Sequence, residues 1–296
     1  MKQGFVFPGQ GAQFTGMGKS YYDNSAFSKK IFEQANEIIG FRLSDIMFSG
    51  SEKDLRETRV TQPAVFLHSI IAYRNIEGAS PQMVAGHSLG EFTALVANGC
   101  LSFEDALKLV SIRAESMQKA CELQPSTMAA VLALADEKVE EICKEVSKEL
   151  KDIVVAANYN CPGQLVISGS IPAVQLASER LKAAGAKRVL VLNVGGAFHS
   201  AFMAPAQAEL SAAIESVKFH HPICPIYQNV VARAVYEPED IKQNLKDQLT
   251  GPVRWTQLVK AMVADGGTTF TEVGPGKVLQ GLIAKIAPTV EISGFS

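Results

Sequence analysis

Apolar positions along the 296-residue chain follow two different periods. Short unbroken apolar runs bounded by turn residues predict buried strands. These are GFVF (4–7) before Pro8-Gly9, MVAGH (83–87), and TFTEVGPGK (269–277), which runs into a second glycine loop. Apolar residues three and four apart predict helices over 25–38, with Phe27, Ile31, Ala35 and Ile38 on one face, and over 63–76, with Pro63 near the first turn. Two more helices are predicted at 89–97, stopped by Asn98-Gly99, and at 103–119, opened by a capping box of Ser102 and Asp105. Strands alternating with helices imply an α/β fold, a parallel sheet covered on both faces.

The pattern changes at Gln124-Pro125. MAAVLAL (128–134) predicts a strand and DEKVEEICKEVSKEL (136–150) an amphipathic helix. Strands at 152–159 and 164–170 flank the turn residues Asn160-Cys161-Pro162-Gly163. A helix at 172–185 and a strand at 188–194 complete the series. The order βαββαβ is the ferredoxin-like, split βαβ arrangement. The expected organisation is a small ferredoxin-like domain at 125–194, inserted into a main domain made of 1–124 and 195–296.

Composition narrows the class. A hydrophobic fraction of 47% with 20% charged residues is that of an ordinary globular protein with a large core. A net charge of −2, without blocks of like charge, gives no footprint for nucleic acid or an anionic membrane. The five cysteines are odd in number and contain no C-x-x-C pair, which predicts reduced thiols. MKQGFVFPGQG is too short and interrupted for a signal peptide, and no 18-residue apolar run follows. A soluble cytoplasmic protein is expected.

Candidate chemistry centres on AGHSLGEFTALVANG (85–99). Ser88 sits between two glycines, after a strand and before a helix, in the pattern G-x-S-x-G. There the glycines allow a tight turn that exposes the hydroxyl, and the next backbone N–H helps to stabilise an oxyanion. The plainer alternative is a Gly-rich turn with a helix-capping serine. A serine nucleophile needs a base within hydrogen-bond reach. Among the five histidines, His68 lies inside a helical pattern as a packed or surface imidazole, and His220 and His221 suit a strand entry or the surface. These two, with Cys224, match no metal-ligand spacing, and no metal is expected. His87 neighbours the serine and is read as orienting or packing. His199, in GGAFHS (195–200), follows a strand through a double glycine onto a loop and is the best candidate base. Arg113 lies on the edge of the apolar face of helix 103–119, beside Ala106 and Met117. Either its stem is buried with the head in solvent, or its guanidinium is aimed into a pocket as a fork for a carboxylate. Gly18-Lys19-Ser20 lacks the first glycine of a P-loop, Gln13 standing in its place. Gly9-Gln10-Gly11 lacks the third glycine of a dinucleotide fingerprint, where Phe14 stands.

The blocks FVFPGQGAQ (5–13), GHSLGE (86–91), VSIRAESMQ (110–118), NCPGQLVISG (160–169), GAFHS (196–200), QLTGPVRW (248–255) and FTEVGPGKVL (270–279) occur in this order. Together they resemble the malonyl-CoA:acyl-carrier-protein transacylases of fatty-acid synthesis over nearly the whole chain. The resemblance implies an α/β-hydrolase-like core with the inserted ferredoxin-like domain, and a Ser–His dyad of Ser88 and His199. It further implies an oxyanion hole from the backbone N–H groups of Gln10 and Leu89, and Arg113 as partner of the malonate carboxylate. By the same resemblance Gln248 orients the histidine through its backbone carbonyl, Gln62 and Asn160 lie near the site, and Phe198 sits where related acyltransferases select malonyl over branched units. The implied partners are malonyl-CoA and holo acyl carrier protein. The enzyme is expected to act on CoA and phosphopantetheine thioesters as a monomer with no bound cofactor. Two rivals share these residues: a serine hydrolase, and an idle domain that only binds carrier protein.

Overall fold

The computed structural model describes residues 2–296. Two sheets organise it. The larger has strand order β10-β9-β1-β2-β7-β8, built from β1 (Lys2–Phe7), β2 (Met83–Gly86), β7 (Ile226–Tyr227), β8 (Ala234–Val235), β9 (Gly267–Val273) and β10 (Glu291–Phe295). All its pairings are parallel except β7 with β8. The period-2 alternation of a strand sends Phe5 and Phe7 of β1 into one core and Val6 into another on the opposite face. β2 does the same, with Val84 on the first face and Met83 and Ala85 on the second. A sheet covered on both faces requires this, and it explains why these strands read as unbroken apolar runs.

The second sheet is antiparallel, with order β4-β5-β3-β6, from β3 (Ser126–Leu132), β4 (Val154–Cys161), β5 (Gln164–Ser170) and β6 (Arg188–Val191). The helices Asp136–Leu150 and Ile171–Ala183 cover one face of it, and Val139, Ile142, Ile167, Val174 and Leu181 form a core of its own. Polar bonds join it to the rest of the molecule. Val253 pairs its backbone with Ala157 and Tyr159 at 2.8 and 2.9 Å, and Ser126 Oγ accepts from Ala197 N at 2.9 Å. Ser168 Oγ donates to the Phe198 carbonyl at 2.6 Å.

Several expectations shift. The helix expected at 63–76 spans Thr58–Arg74, so Pro63 lies in its second turn and not at its start. Fourteen residues of that helix are buried, and their packing outweighs the one backbone donor that proline lacks. Phe27, expected on the buried face of its helix, is 55% exposed. The helix Ala26–Ile39 is instead turned so that Asn36 points inward, where its amide exchanges hydrogen bonds with Ser44. Asn160 and Cys161, expected in a turn, are strand residues. Cys161 pairs with Gln164, and the hairpin closes on Pro162-Gly163 alone, with Gly163 at φ 73°. β6 ends at Val191, three residues before its expected end, because the chain leaves the sheet to line a cavity with Leu192 and Val194. The helix at 103–119 extends to Leu123. The expected capping box there is half formed: Ser102 Oγ accepts from Asp105 N at 3.0 Å and donates to the Asp105 carboxylate at 2.8 Å. All five cysteines are free and buried. Among the described residues, no helix is long and apolar enough to cross a membrane.

Candidate active site

In open α/β sheets, binding sites form beyond the carboxyl ends of the strands. Here the loops leaving β1, β2 and β7 meet there. β2 stops at Gly86, the chain turns through His87 and Ser88, and the helix Gly90–Ala97 begins. Ser88 has φ 52°, in the left-handed region that non-glycine residues rarely occupy. The flanking glycines are needed for space. A Cβ on Gly86 would lie 1.8 Å from the Gly90 carbonyl carbon, and one on Gly90 would lie 2.1 Å from the Phe7 carbonyl oxygen. The turn is thus wedged between its own helix and the end of β1.

Ser88 Oγ lies 2.8 Å from His199 Nε2 and accepts from Arg113 Nη2 at 2.9 Å. His199 also has a left-handed backbone, φ 57°. Its Nδ1 faces two backbone carbonyls, Gln248 at 2.9 Å and Gly251 at 3.2 Å. Carbonyls only accept, so Nδ1 carries the ring proton and Nε2 presents a lone pair to the serine hydroxyl. No carboxylate contacts this imidazole among the described residues. Burial, and then the Arg113 charge, push the His199 pKa down to about 3, which keeps the ring neutral at rest.

Arg113 decides between its two sequence readings. It is 1% exposed, and its head is in the cavity, not in solvent. Nη1 donates to Gln62 Oε1 at 2.6 Å, and Nη2 donates to Gln248 Oε1 at 3.1 Å as well as to the serine. Its Nε has no hydrogen-bond partner, and the guanidinium stands 5.9 Å from the ring of Phe92. Burial lowers its pKa to about 10, opposed by Glu91, so it stays charged at neutral pH. No salt-bridge partner touches it among the described residues. A buried cation held only by neutral amides and a hydroxyl suits an anion arriving from outside.

The structure brings the other expected residues to the same cavity, of about 250 Å³, with one exception. Gln10, His87, Leu89, Asn160, Phe198 and Gln62 line it, whereas Gln248 lies behind the guanidinium. Among the described residues, no acceptor pairs with the backbone N–H of Gln10 or Leu89. Gly9 brings the first loop close, since a Cβ there would meet the His87 carbonyl at 2.5 Å. His87 turns away from the serine: its Nε2 is 2.9 Å from Asn160 Oδ1, and its ring leans on Trp255. His68 is buried in the core and His220 and His221 are on the surface, all away from the site.

Sequence reasoning missed Asn229, Glu91 and Asn158. Asn229, just beyond β7, accepts from Ser88 N at 2.7 Å and donates to the Gly86 carbonyl at 2.7 Å, bracing the strained turn. Its signal was slight, a polar pair Gln228-Asn229 directly after an apolar strand. Glu91 is fully buried one turn after the serine, the one charged residue in a mostly apolar helix, and that mismatch was visible in the sequence. Asn158 reaches the cavity because residues 158 and 160 share one face of β4.

These parts can perform acyl transfer. A hydroxyl in contact with a neutral imidazole can be deprotonated as it attacks a carbonyl, and N–H groups at the start of a helix can stabilise the resulting oxyanion. Comparison with known proteins agrees. Residues 4–290 match the acyl transferase domain family, and the chain belongs to that family. More particularly, it is 42% identical over 287 residues to the malonyl CoA-acyl carrier protein transacylase of Bacillus subtilis (strain 168), covering 96% of this chain and 90% of that one. The crystal structure of an acyl carrier protein S-malonyltransferase from Vibrio cholerae superposes with a TM-score of 0.94 at 39% identity, covering 99% and 96% of the two chains. A malonyl-transacylase solved in complex with a type II PKS acyl-carrier protein superposes with a TM-score of 0.93 at 37% identity, covering 99% and 95%.

Proposed function

We propose that this chain moves a malonyl group from malonyl-CoA to the phosphopantetheine thiol of holo acyl carrier protein, through an ester on Ser88. The observation that carries this reading is Arg113, a buried guanidinium within 2.9 Å of the serine oxygen and without an acidic partner in contact. A malonyl group on Ser88 ends in a free carboxylate that can take the fork, while an acetyl group leaves it unmatched. The names of the relatives support the same substrate, and the relative solved with an acyl carrier protein supports that acceptor.

In the first step Ser88 passes its proton to His199 Nε2, and its oxygen forms a bond to the malonyl carbonyl carbon. The N–H groups of Gln10 and Leu89 receive the oxyanion; loss of one such donor costs on the order of 10²–10³ in rate. The carbonyl–sulfur bond breaks, and the imidazolium returns the proton to the departing CoA thiolate. In the second step the acceptor thiol gives its proton to His199, sulfur attacks the ester, and Ser88 leaves and regains a proton. Arg113 opposes charge on His199, so a malonate carboxylate at Arg113 removes that opposition while the histidine must be protonated. The substrate thereby helps its own base.

The same reading takes the larger sheet as an α/β-hydrolase-like core, supported by its strand–turn–helix serine, with residues 1–124 and 195–296 in that domain. It takes 125–194 as a ferredoxin-like insertion, supported by the βαββαβ order and the strand order β4-β5-β3-β6. The enzyme acts as a cytoplasmic monomer and holds no cofactor of its own.

Intact-mass measurement of enzyme mixed with malonyl-, methylmalonyl- and acetyl-CoA tests the proposal. The expected result is a malonyl adduct on the wild type, less of the other two, and none on Ser88→Ala. A malonyl adduct that persists in Ser88→Ala overturns the nucleophile, and absence of any adduct on the wild type overturns the function.

A further inference from the structure

Glu91 takes no part in the steps above, yet it is fully buried and its carboxylate holds groups that contact Ser88. Burial raises its pKa well above the usual carboxylate range; the Asn229 N–H, the Gln248 amide and the Arg113 charge pull it back. Both of its oxygens accept from N–H donors, Oε1 from Asn229 N and Oε2 from Gln248 Nε2 at 2.6 Å. A carboxylate, which only accepts, satisfies both donors with no proton of its own to place.

The amide of Gln248 has two distinguishable ends. Its Nε2 donates to Glu91 and to the Ser88 carbonyl at 2.9 Å, and its Oε1 accepts from Arg113 Nη2. A flipped amide would direct its oxygen at two acceptors and its NH₂ at the guanidinium. The same Glu91 carboxylate holds the backbone of Asn229, whose side chain braces the Ser88 turn.

We propose that Glu91 is a positioning residue that sets the polarity of the Gln248 amide, and so aims the Arg113 guanidinium at the acyl carboxylate. The assignment rests on the malonyl-transfer reading and adds to it a determinant of acyl selectivity that touches no substrate. Glu91 and the Ser88 carbonyl hold the Nε2 end of the amide, and Arg113 faces the Oε1 end. Of the two acceptors at Nε2, Glu91 is the side chain, so its replacement tests the relay without replacing a residue of the serine turn. The relay is Glu91 carboxylate, Gln248 amide, Arg113 guanidinium, acyl carboxylate, with each donor facing an acceptor.

Glu91→Gln keeps size and packing but must turn an NH₂ toward either Asn229 N or Gln248 Nε2. The experiment measures malonyl-CoA and acetyl-CoA loading of Ser88 side by side, as kcat and KM, with thermal melting of the same samples. The expected result is a malonyl kcat/KM lowered roughly 10- to 100-fold, mainly through KM, the loss expected when one hydrogen bond to a charged group is spoiled. Acetyl loading should change by less than about threefold. A role in folding alone would lower both in proportion to the unfolded fraction and leave their ratio unchanged, and that result overturns the assignment. If Glu91→Gln does not fold, the exchange Glu91→Gln with Gln248→Glu restores a donor facing an acceptor between these two residues, gives up the bond to the Ser88 carbonyl, and places a permanent carboxylate against Arg113. This exchanged enzyme should lose its preference for malonyl over acetyl; retention of the preference also overturns the assignment. Wild-type enzyme that takes no malonyl group overturns the function itself, and the assignment with it.

Discussion

The two sheets meet at one cavity and contribute to it in opposite ways. The parallel sheet carries Ser88, the loop that returns to it from β6 carries His199, and both candidate reacting groups are held with little freedom. Ser88 and His199 both sit at positive φ, glycines are packed against backbone on either side of the serine, and Asn229, Gln248 and Glu91 tie the pieces together. The antiparallel sheet supplies wall: Met128, Asn158, Asn160, Gln164 and Val166 line the cavity. Its own core is separate and lies on its far side. Strain and interlocking polar bonds are costly, and they are concentrated where chemistry requires fixed geometry. The wall needs only shape and a few polar atoms, so an amphipathic sheet with ordinary packing serves. Ser126 and Ser168 join the wall to the base, since they hold the 197–198 backbone next to His199.

This division can be broken by experiment. The largest effect is expected at the base. His199→Ala should slow acylation of Ser88 by roughly 10²–10⁴-fold, while Val166→Ala on the wall should stay within about tenfold of wild type. Rapid-quench loading with labelled malonyl-CoA measures both, and comparable losses in the two variants would erase the distinction. Next comes Arg113→Ala, for which malonyl loading should fall by roughly 10- to 100-fold relative to acetyl loading. An unchanged ratio in a competition between the two thioesters would remove Arg113 as the carboxylate partner.

A third test works from the other sheet. Ile167 is fully buried in the core of the antiparallel sheet, and Ile167→Ala should cost about 2–5 kcal/mol in urea unfolding. At a temperature where the variant is folded, its acylation rate should remain within about twofold of wild type. A large rate loss there would show that the wall and the chemistry are coupled more tightly than their separate cores suggest.

The smallest expected effect is in pH. Burial alone lowers the pKa of His68, from 6.5 to about 4, so between those values the unfolded chain binds a proton that the folded chain does not. Stability should therefore fall as pH drops through 6.5, by on the order of 1–2 kcal/mol at pH 5 from this residue. His68→Phe should flatten that part of the curve, measured as urea midpoints at pH 7 and 5, with no change in acyl selectivity.

Much of this architecture is legible in local sequence. GHSLG between an apolar run and a helical pattern predicts the strand–turn–helix at Ser88, because steric demands between glycines and backbone act over five residues. The double glycine before His199 marks a loop, and the 3.6-residue period places Arg113 on the edge of an apolar face. Periodicity does not extend to the rotation of that edge. Arg113 is inside because Gln62 and Gln248 offer acceptors, and they lie 51 and 135 residues away in the chain. The same limit misplaced Phe27, whose helix is turned by a hydrogen-bonded Asn36 and Ser44 that no hydrophobic pattern displays.

By itself, then, the sequence determined the elements, the serine turn, the candidate base and the guanidinium, since each follows from sterics or periodicity within a few residues. Only the tertiary structure decided which partners each would have. It paired His199 with backbone carbonyls and not a carboxylate, braced Ser88 with Asn229, and linked Glu91 to Gln248 across 157 residues. Hydrogen-bond direction depends on which atoms face each other, and chain proximity carries no information about that. The close approach of the strand ends supplies it.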